Sequence, residues 1–377
     1  MKIIVAPDSF KGCLRSIEAA EAIKKGLAAV LPHARIVIFP VADGGEGTVE
    51  AITAATGGEF IQTTVSGPLG LPVEACYGII PGHTAVMEMA AASGIELLSR
   101  NELNPLKTST YGTGEMLRDA IKRGVRQIVI GIGGSATVDG GAGMAQALGF
   151  ILCDDKGNII GPPCTGGMLG AIAAIEPGGA AELLKNVRVR VACDVTNPLL
   201  GPNGAAPVYG PQKGASPQMV ETLTAGLDNF SRVVMRAGMA DDNTHPGDGA
   251  AGGLGFALRS LCGAEIVSGA QLVIEASGLE RQLADADLVI TGEGCTDSQT
   301  ASGKICAVIA ATAAIHQVPT IVLSGAVKGP VAPLQQTFAA VMSIGKGPCS
   351  LAEAIAAAPE WLYDAGRNIG GILALKK

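Results

Sequence analysis

Aromatic and charged side chains are both scarce in this sequence. Of its 377 residues, 3% are aromatic and 16% are charged, whereas 48% are hydrophobic and 53 are glycine. Such a composition suits helices and strands rich in Ala, Val and Ile that are joined by tight glycine turns, as in α/β enzymes. The chain is longer than one hydrophobic core usually supports, so two domains are expected.

The sequence also lacks a basic excess and a paired cysteine pattern. Its net charge is −7 and its pI is near 5.2, which gives no basic surface for nucleic acid. The nine cysteines are odd in number and none forms C-x-x-C, so buried free thiols are expected. The four histidines show no H-x-x-x-H spacing, so a zinc site is not expected. Small molecules are the expected partners, and a homo-oligomer is left open.

No hydrophobic run is long enough to cross a membrane, although the mean hydropathy is +0.37. The most apolar stretch, residues 305–326, is interrupted by His316, Gln317 and Pro319, whereas a span needs about 20 apolar residues in succession. We predict a buried helix followed by a buried strand there. The N-terminus leads straight into a strand without the features of a secretory signal, so a cytoplasmic protein without a membrane segment is expected.

Short β-branched runs alternate with helical stretches along most of the chain. The runs that end in a polar or acidic residue lie at residues 2–6, 35–42, 127–132, 187–193 and 288–291. Helices are predicted at residues 16–30, 47–56, 112–123, 141–148, 217–237, 252–261 and 303–316. This alternation predicts β-α-β units whose parallel strands point their C-terminal ends into a site.

The pattern changes after the second helix. Residues 59–65, 73–80 and 84–90 are predicted strands separated by short Gly-Pro and Pro-Gly loops, which indicates an antiparallel meander. A second hairpin is predicted at residues 150–160.

These patterns predict two unlike α/β domains. Residues 1–50 and 283–377 are expected to form a Rossmann-like domain with a parallel sheet, and residues 51–282 an inserted domain with a mixed sheet. Two consecutive domains would fit the pattern of strands and helices equally well.

Residues 291–304 have the composition of a phosphate-binding loop. They follow a buried strand and open a helix, so their amides and the helix N-terminus would form an anion site beside a lysine. The segment is not a Walker A sequence, because Lys304 precedes Ile305 rather than Ser or Thr. A polar connection with a helix cap is the alternative. The residues predicted to contact substrate or nucleotide phosphate here are Gly292, Glu293, Gly294, Gln299 and Lys304.

Residues 131–136 match G-x-G-x-x-A between a strand and a helix. The residues predicted to approach a phosphorylated ligand here are Gly133, Gly134, Ser135 and Asp139. A tight turn without a ligand is one alternative. An NAD-linked dehydrogenase is another, with Asp154 on the ribose. Asp154 lies in a predicted hairpin instead of at the end of a second parallel strand, which disfavours the dehydrogenase.

Acids and glycines also follow the second strand. Asp43 and Glu46 would hold Mg²⁺ there. The amides of Gly44 and Gly45 would face the ligand. A helix cap formed by Asp43 is the alternative.

Asp8, Ser9 and Lys11 follow the first strand. Lys11 would neutralise a substrate carboxylate or the transferring phosphoryl group, or else is a solvated surface lysine. Asp194 ends another strand, where it would accept the proton of an attacking hydroxyl or ligate the metal. We predict Asp194, Lys11 and Asp8 as catalytic residues and Ser9 as a phosphate contact.

Six separated segments together resemble the bacterial glycerate kinase type 1 family. They are APDSFKG at 6–12, ADGGEGT at 42–48, GGSATVDGG at 133–141, CDVTNP at 193–198, GAAGGLG at 249–255, and TGEG at 291–294 with Gln299-Thr300 and Gly303-Lys304. They occur in the expected order and extend over nearly the whole chain. The resemblance implies two unlike α/β domains with the active site in the cleft between them.

The resemblance also implies a reaction, the Mg²⁺-dependent transfer of the ATP γ-phosphoryl group to D-glycerate. Similar family members are assigned the 2-phosphoglycerate product, and 3-phosphoglycerate is the alternative. Because phosphoryl transfer relies mainly on positioning and charge neutralisation, acidic, glycine-rich and lysine-containing strand ends suit it. The two rival functions, a dehydrogenase and a non-catalytic sugar-acid binding protein, do not account for all six segments.

Overall fold

The computed structural model describes residues 1–10, 12–39, 48–297, 300 and 305–375. Contacts within the chain divide it into two compact units. The first unit comprises Met1–Asp43, Glu50–Thr56 and Ala270–Lys377, and the second comprises Gly44–Val49 and Gly57–Gly269. Domain boundaries near residues 50 and 283 stay a prediction.

The helices and strands alternate through most of the described chain. The strands are β1 (Lys2–Val5), β2 (Arg35–Ile38), β3 (Glu59–Ser66), β4 (Pro72–Ile80), β5 (Thr84–Glu88), β6 (Gln127–Gly131), β7 (Ile151–Cys153), β8 (Ala174–Glu176), β9 (Arg188–Ala192), β10 (Glu265–Val267), β11 (Leu288–Thr296), β12 (Thr320–Val327) and β13 (Ala340–Ser343). The α-helices are α1 (Ser16–Val30), α2 (Thr48–Thr56), α3 (Ala90–Ser93), α4 (Tyr111–Lys122), α5 (Ala142–Leu148), α6 (Ala180–Leu184), α7 (Ala205–Tyr209), α8 (Pro217–Arg236), α9 (Ala250–Cys262), α10 (Gly269–Ser277), α11 (Leu279–Leu283), α12 (Ile305–Ile315) and α13 (Leu351–Ala374). Short 3₁₀ helices lie at Ile95–Leu97, Arg100–Glu102, Gly166–Ala171, Pro211–Lys213 and Leu334–Gln336.

The first unit contains a parallel sheet with the strand order β13-β12-β11-β1-β2. Every residue of β1 is buried, as expected for a strand covered on both faces. Helices α1 and α13 pack together so closely that a Cβ at Gly26 would lie 2.0 Å from the carbonyl oxygen of Tyr363. The buried helix and strand predicted over residues 305–326 are confirmed as α12 and β12.

The second unit contains a mixed sheet with the strand order β10-β9-β6-β5-β4-β3. Strands β10, β9, β6 and β5 are parallel, and β5, β4 and β3 form the predicted antiparallel meander. Two unlike sheets, one parallel and one mixed, therefore confirm the α/β class.

The hairpin predicted at residues 150–160 is only partly correct. A tight turn forms there, but it adds a single bridge between Cys153 and Ile159, and β7 pairs instead with β8. Pro162 and Pro163 follow the turn, and because proline has no N–H they cannot extend a ladder.

No helix among the described residues combines the length and hydrophobicity that crossing a membrane requires.

Candidate functional site

Polar residues collect where the parallel strands of each sheet end. At the first sheet these are Asp8 after β1, Glu293 and Thr296 on β11, and Ser324 on β12. At the second sheet they are Glu88 on β5, Gly133 to Ser135 after β6, Asp194 after β9 and Ser268 after β10. Ligands of open α/β sheets bind at the carboxyl ends of the strands, so both edges are candidate sites.

Asp8 is held firmly at the end of β1. Its backbone N–H donates to the carbonyl of Gly292 at 2.7 Å, and its carboxylate accepts from the N–H of Ser9 at 2.7 Å. The Asp8 side chain is 8% exposed. The structure thus places the predicted residues Asp8 and Ser9 beside Gly292. The loop predicted to start at residue 291 is corrected, because residues 291–296 continue strand β11 and pair with β12.

Glu293 has a carboxylate fixed by two hydroxyl groups. Its Oε1 accepts from Thr296 at 2.9 Å and from Thr300 at 2.6 Å. The hydroxyl of Thr296 also shares a hydrogen bond with Ser324 on β12. A largely buried carboxylate oriented in this way keeps a defined position at the strand end, which suits a binding site.

Gly292 has a structural reason to be glycine. A Cβ at this position would lie 2.5 Å from the carbonyl oxygen of Leu323 on the neighbouring strand. The buried thiol of Cys306 donates to the Gly292 carbonyl at 3.4 Å. Burial, together with the charges of Glu293 and Asp8, raises the pKa of the Cys306 thiol, so this cysteine stays protonated and unreactive.

Several predicted site residues lie outside the described residues, and their roles stay predictions. They are Lys11, Asp43, Gly44, Gly45, Glu46, Gln299 and Lys304.

The loop after β6 presents two exposed glycines above a buried serine. Gly133 and Gly134 are exposed, whereas Ser135 is 8% exposed. The loop is anchored to residues 93–95, because Ala136 N–H donates to Ser93 and Ile95 N–H donates to the carbonyl of Gly134. Gly134 has a φ of +70°, a left-handed conformation that favours glycine.

Lys213, which the sequence pattern does not single out, lies behind this loop. Its side chain is fully enclosed, and its Nζ donates to Ser135 Oγ at 2.6 Å and to the carbonyl of Thr137 at 2.8 Å. Burial lowers the pKa of Lys213 to about 7, while the nearby charge of Asp139 opposes this shift. No spacing rule could have found Lys213, because its partners lie 76 and 78 residues away in the sequence.

Asp139 is completely buried at the N-terminus of α5. Its Oδ2 accepts from the N–H and the hydroxyl of Thr110, both at 2.7 Å, and from Gly143 N–H at 3.3 Å. Its Oδ1 accepts from Gly141 N–H at 3.2 Å. Burial raises the pKa of Asp139, and these hydrogen bonds counteract the rise. The geometry makes Asp139 a carboxylate that orders the loop, and direct phosphate contact stays a prediction.

The glycine-rich segment 249–255 packs directly against the same loop. Ala251, Gly252 and Gly253 have φ values of 51°, 69° and 93°, so three successive residues are left-handed. A Cβ at Gly252 would lie 2.0 Å from the carbonyl oxygen of Thr137. This segment therefore fixes the loop from the side of α9.

Asp194 is exposed at the end of β9. Its Oδ1 accepts from Gly269 N–H at 3.0 Å and from the hydroxyl of Ser268 at 3.2 Å. These bonds orient the carboxylate at the same sheet edge as Ser135. The nearby Asn197 side chain accepts from the hydroxyl of Tyr209 at 2.6 Å, which links this loop to α7.

Glu88 is a further strand-end carboxylate that the sequence pattern misses. It is the last residue of β5, opposite Gly131 of β6, and it accepts from Val49 N–H at 3.1 Å. The predicted strand extends to residue 90, so Glu88 is placed within it and not at its end. A strand boundary at Glu88 would have marked it as a candidate site residue.

The dehydrogenase alternative is not favoured. Asp154, its proposed ribose ligand, accepts from Lys156 N–H at 2.9 Å and Asn158 N–H at 2.8 Å in an exposed turn. It stabilises that turn and does not end a parallel strand, as binding a ribose in a dinucleotide fold would require.

Comparison with known proteins agrees with the kinase pattern. The model of the glycerate kinase family matches residues 3–374. A glycerate kinase from Bacillus subtilis (strain 168) is 46% identical over 379 residues, covering 100% of this chain and 99% of the relative. A glycerate 2-kinase from Escherichia coli (strain K12) is 46% identical over 381 residues, covering 100% and 98%.

A solved structure shows the same fold. The crystal structure of a Salmonella typhimurium LT2 protein assigned as glycerate kinase 2 matches with a TM-score of 0.90 and 44% identity, covering 100% of this chain and 99% of that chain. The match therefore extends over the full length of this chain. The chain belongs to the glycerate kinase family.

Proposed function

We propose that this protein is a glycerate 2-kinase that transfers the γ-phosphoryl group of ATP to D-glycerate and yields 2-phosphoglycerate. The observation that carries the proposal is the family match over residues 3–374, supported by a full-length relative named glycerate 2-kinase. Phosphorylation at the 3-hydroxyl is the alternative.

The acidic strand ends fit a magnesium ion. Mg²⁺ in kinases is usually held by one or two carboxylates together with substrate phosphates and water. Asp8 and Glu293 are carboxylates of this kind, each less than a tenth exposed. No group of three His, Cys, Asp or Glu side chains suited to a metal occurs within the described part of the chain.

We propose that Asp43 and Glu46 hold the Mg²⁺ ion, as the sequence predicts. Among the described residues, Asp8 and Glu293 are the carboxylates whose chemistry also suits Mg²⁺. A bound Mg²⁺ would neutralise charge on the ATP phosphates. Lys11 and Lys304 would add positive charge to phosphate groups. Fixed hydroxyl contacts to Glu293 keep its carboxylate from rotating as the ligand enters.

In the second unit, Gly133, Gly134 and Ser135 would bind an anionic group of the substrate or nucleotide. Asp194 would orient the attacking hydroxyl of glycerate and accept its proton. Its Oδ1 is already held by Ser268 and Gly269, which fixes the direction in which the carboxylate faces.

The reaction is tested by ADP release from purified protein with D-glycerate, ATP and Mg²⁺, with the product resolved by phosphorus NMR. ADP release with a 2-phosphoglycerate signal supports the full proposal. A 3-phosphoglycerate signal supports the kinase and corrects the position of transfer. Absence of ADP release from folded protein refutes the assignment to glycerate.

The role of Asp194 is tested by Asp194→Asn. Loss of a general base lowers turnover by about 10²-fold or more. Asp154→Asn is the matched control, because Asp154 is a half-buried aspartate whose carboxylate, among the described residues, bonds within its own turn. Equal turnover in the two folded variants would remove Asp194 from the mechanism.

A further inference from the structure

The hydroxyl hydrogen of Ser135 has no acceptor among the described residues and can donate to a ligand. The Nζ of Lys213 donates to Ser135 Oγ, so Ser135 Oγ is the acceptor in their 2.6 Å hydrogen bond. Within the described residues, Ser135 Oγ makes no other hydrogen bond. Its O–H is therefore oriented by the lysine and remains able to donate.

Two backbone donors lie next to this hydroxyl. The amides of Gly133 and Gly134 make no backbone hydrogen bond within the described chain, and both residues are exposed. The amides further along the loop are already used, since Gly141 and Gly143 donate to Asp139. Donors without a local acceptor are thus concentrated at residues 133–135.

The backbone holds Lys213 rigidly in place. Lys213 N–H donates to the carbonyl of Gly210 at 3.0 Å, and the next residue, Gly214, has a φ of +89°. A Cβ at Gly214 would lie 2.4 Å from the carbonyl oxygen of Leu103. The lysine therefore approaches the loop from a turn that tolerates little movement.

We propose that Lys213 is a positioning residue for the kinase reaction, which holds Ser135 so that its hydroxyl donates to an anionic oxygen of a substrate. The inference rests on the proposed function and deepens it. A cluster made only of donors selects a carboxylate or phosphate oxygen. The ligand group is either the carboxylate of glycerate or a phosphate of ATP, and separate KM values distinguish the two.

Lys213 does not need its charge to play this role. Burial brings its pKa to about 7, with Asp139 as the charged group that faces it. A neutral amine still has two hydrogens, enough for both Ser135 and Thr137. The positioning is therefore expected to persist across neutral pH.

The test compares Lys213→Met, Ser135→Ala and the double variant by steady-state kinetics. Lys2→Met is a matched control, because Lys2 is a buried lysine whose Nζ also makes two hydrogen bonds, at the end of β1 away from Asp8. We expect each of the two site variants to raise the KM of one substrate about tenfold or more, with a smaller change in the other KM. The control should leave both KM values within about twofold of the wild type.

The double variant decides whether Lys213 acts through Ser135. If it does, removing Lys213 changes KM little once Ser135 is alanine, so the two effects do not multiply. Multiplying effects, or a Lys213→Met enzyme with unchanged KM values, would overturn the proposal. Lys213→Arg retains a donor, and partial recovery of KM relative to Lys213→Met is expected.

Calorimetry separates failure of this inference from failure of the proposed function. D-Glycerate and a non-hydrolysable ATP analogue that keeps all three phosphate groups are each titrated into wild-type protein and into Ser135→Ala, which leaves Lys213 its bond to Thr137. Weaker binding of one ligand by Ser135→Ala supports the site even if the wild type shows no turnover. Equal binding of both ligands by the two proteins refutes it, whatever the kinase assay shows.

Discussion

Replacing Asp139 tests whether a buried carboxylate organises the loop after β6. Asp139→Asn can keep an oxygen at the Oδ2 position, where Thr110 and Gly143 donate. Its NH₂ group then faces Gly141 N–H, so one hydrogen bond is lost and two donors meet. Asp139→Ala removes both carboxylate oxygens, so the buried donors of Thr110, Gly141 and Gly143 lose their hydrogen bonds to residue 139.

The two substitutions should differ in cost by about a factor of two. A hydrogen bond to a charged group contributes about 1.5–3 kcal/mol, and a stranded buried donor costs about 1–3 kcal/mol. Losing one bond therefore costs Asp139→Asn about 2 kcal/mol, partly offset because a neutral side chain is easier to bury. Asp139→Ala, with all four bonds lost, should destabilise the protein by about 4 kcal/mol or more.

Urea denaturation measures these costs when two signals are followed. The single tryptophan, Trp361, lies in α13 of the first unit, so its fluorescence reports that unit, and far-UV circular dichroism reports both. Asp154→Ala is the control, since its bonds to Lys156 and Asn158 are exposed; we expect a change below about 1 kcal/mol. The reasoning is refuted if Asp139→Ala costs less than about 1 kcal/mol, or if Asn and Ala cost the same.

Four further predictions concern stability and are measured by urea denaturation. In α13, Gly371 has open space around its Cβ position, so Gly371→Ala should stabilise by up to about 1 kcal/mol. In the same helix, a Cβ at Gly366 would lie 2.5 Å from a carbonyl oxygen of α1, so Gly366→Ala should destabilise, and equal effects would contradict the packing. Arg259→Met leaves the fully buried Asp248 without its two 2.8 Å bonds and should cost about 3–5 kcal/mol; a loss below about 1 kcal/mol would contradict this. Because the folded pKa of Lys213, about 7, lies below that of an unfolded lysine, the unfolded chain binds more protons above pH 7. The stability of wild type relative to Lys213→Met should therefore rise from pH 7 to 9, by at most about 1.4 kcal/mol per unit, and a constant difference would show a normal pKa.

Most of the helices and strands can be predicted from the local sequence pattern. A few depend on contacts between residues that are distant in the sequence. Helix α1 and strands β3 and β4 lie within a residue or so of their predicted bounds, since their periodicity and flanking turns are encoded in adjacent residues. The pattern does not predict α13, which contains Pro359 and three glycines. Those glycines lower helix propensity, but Gly366 allows the close packing against α1 that stabilises the helix.

The strand-end acids of the candidate site are predictable for a topological reason. Parallel strands place their carboxyl ends at one edge, so Asp8 and Asp194 can be predicted from the residues that follow β1 and β9. Glu293 follows the strand predicted at residues 288–291, although β11 itself continues to Thr296. Lys213 cannot be read in this way. It reaches the loop from a 3₁₀ helix far along the chain, and only the tertiary fold brings it to Ser135.

The loop from residue 133 to 143 shows why composition alone does not separate a ligand site from a structural one. Glycines and an acid between a strand and a helix serve equally well to admit a phosphate or to satisfy the helix from within. In this protein the N-terminus of α5 is satisfied from within the chain, because Asp139 accepts from the N–H groups of Gly141 and Gly143. The amides of Gly133 and Gly134 are not used in that way among the described residues. Any anion that this loop recognises should therefore bind at its first glycines and Ser135, and not at the N-terminus of α5.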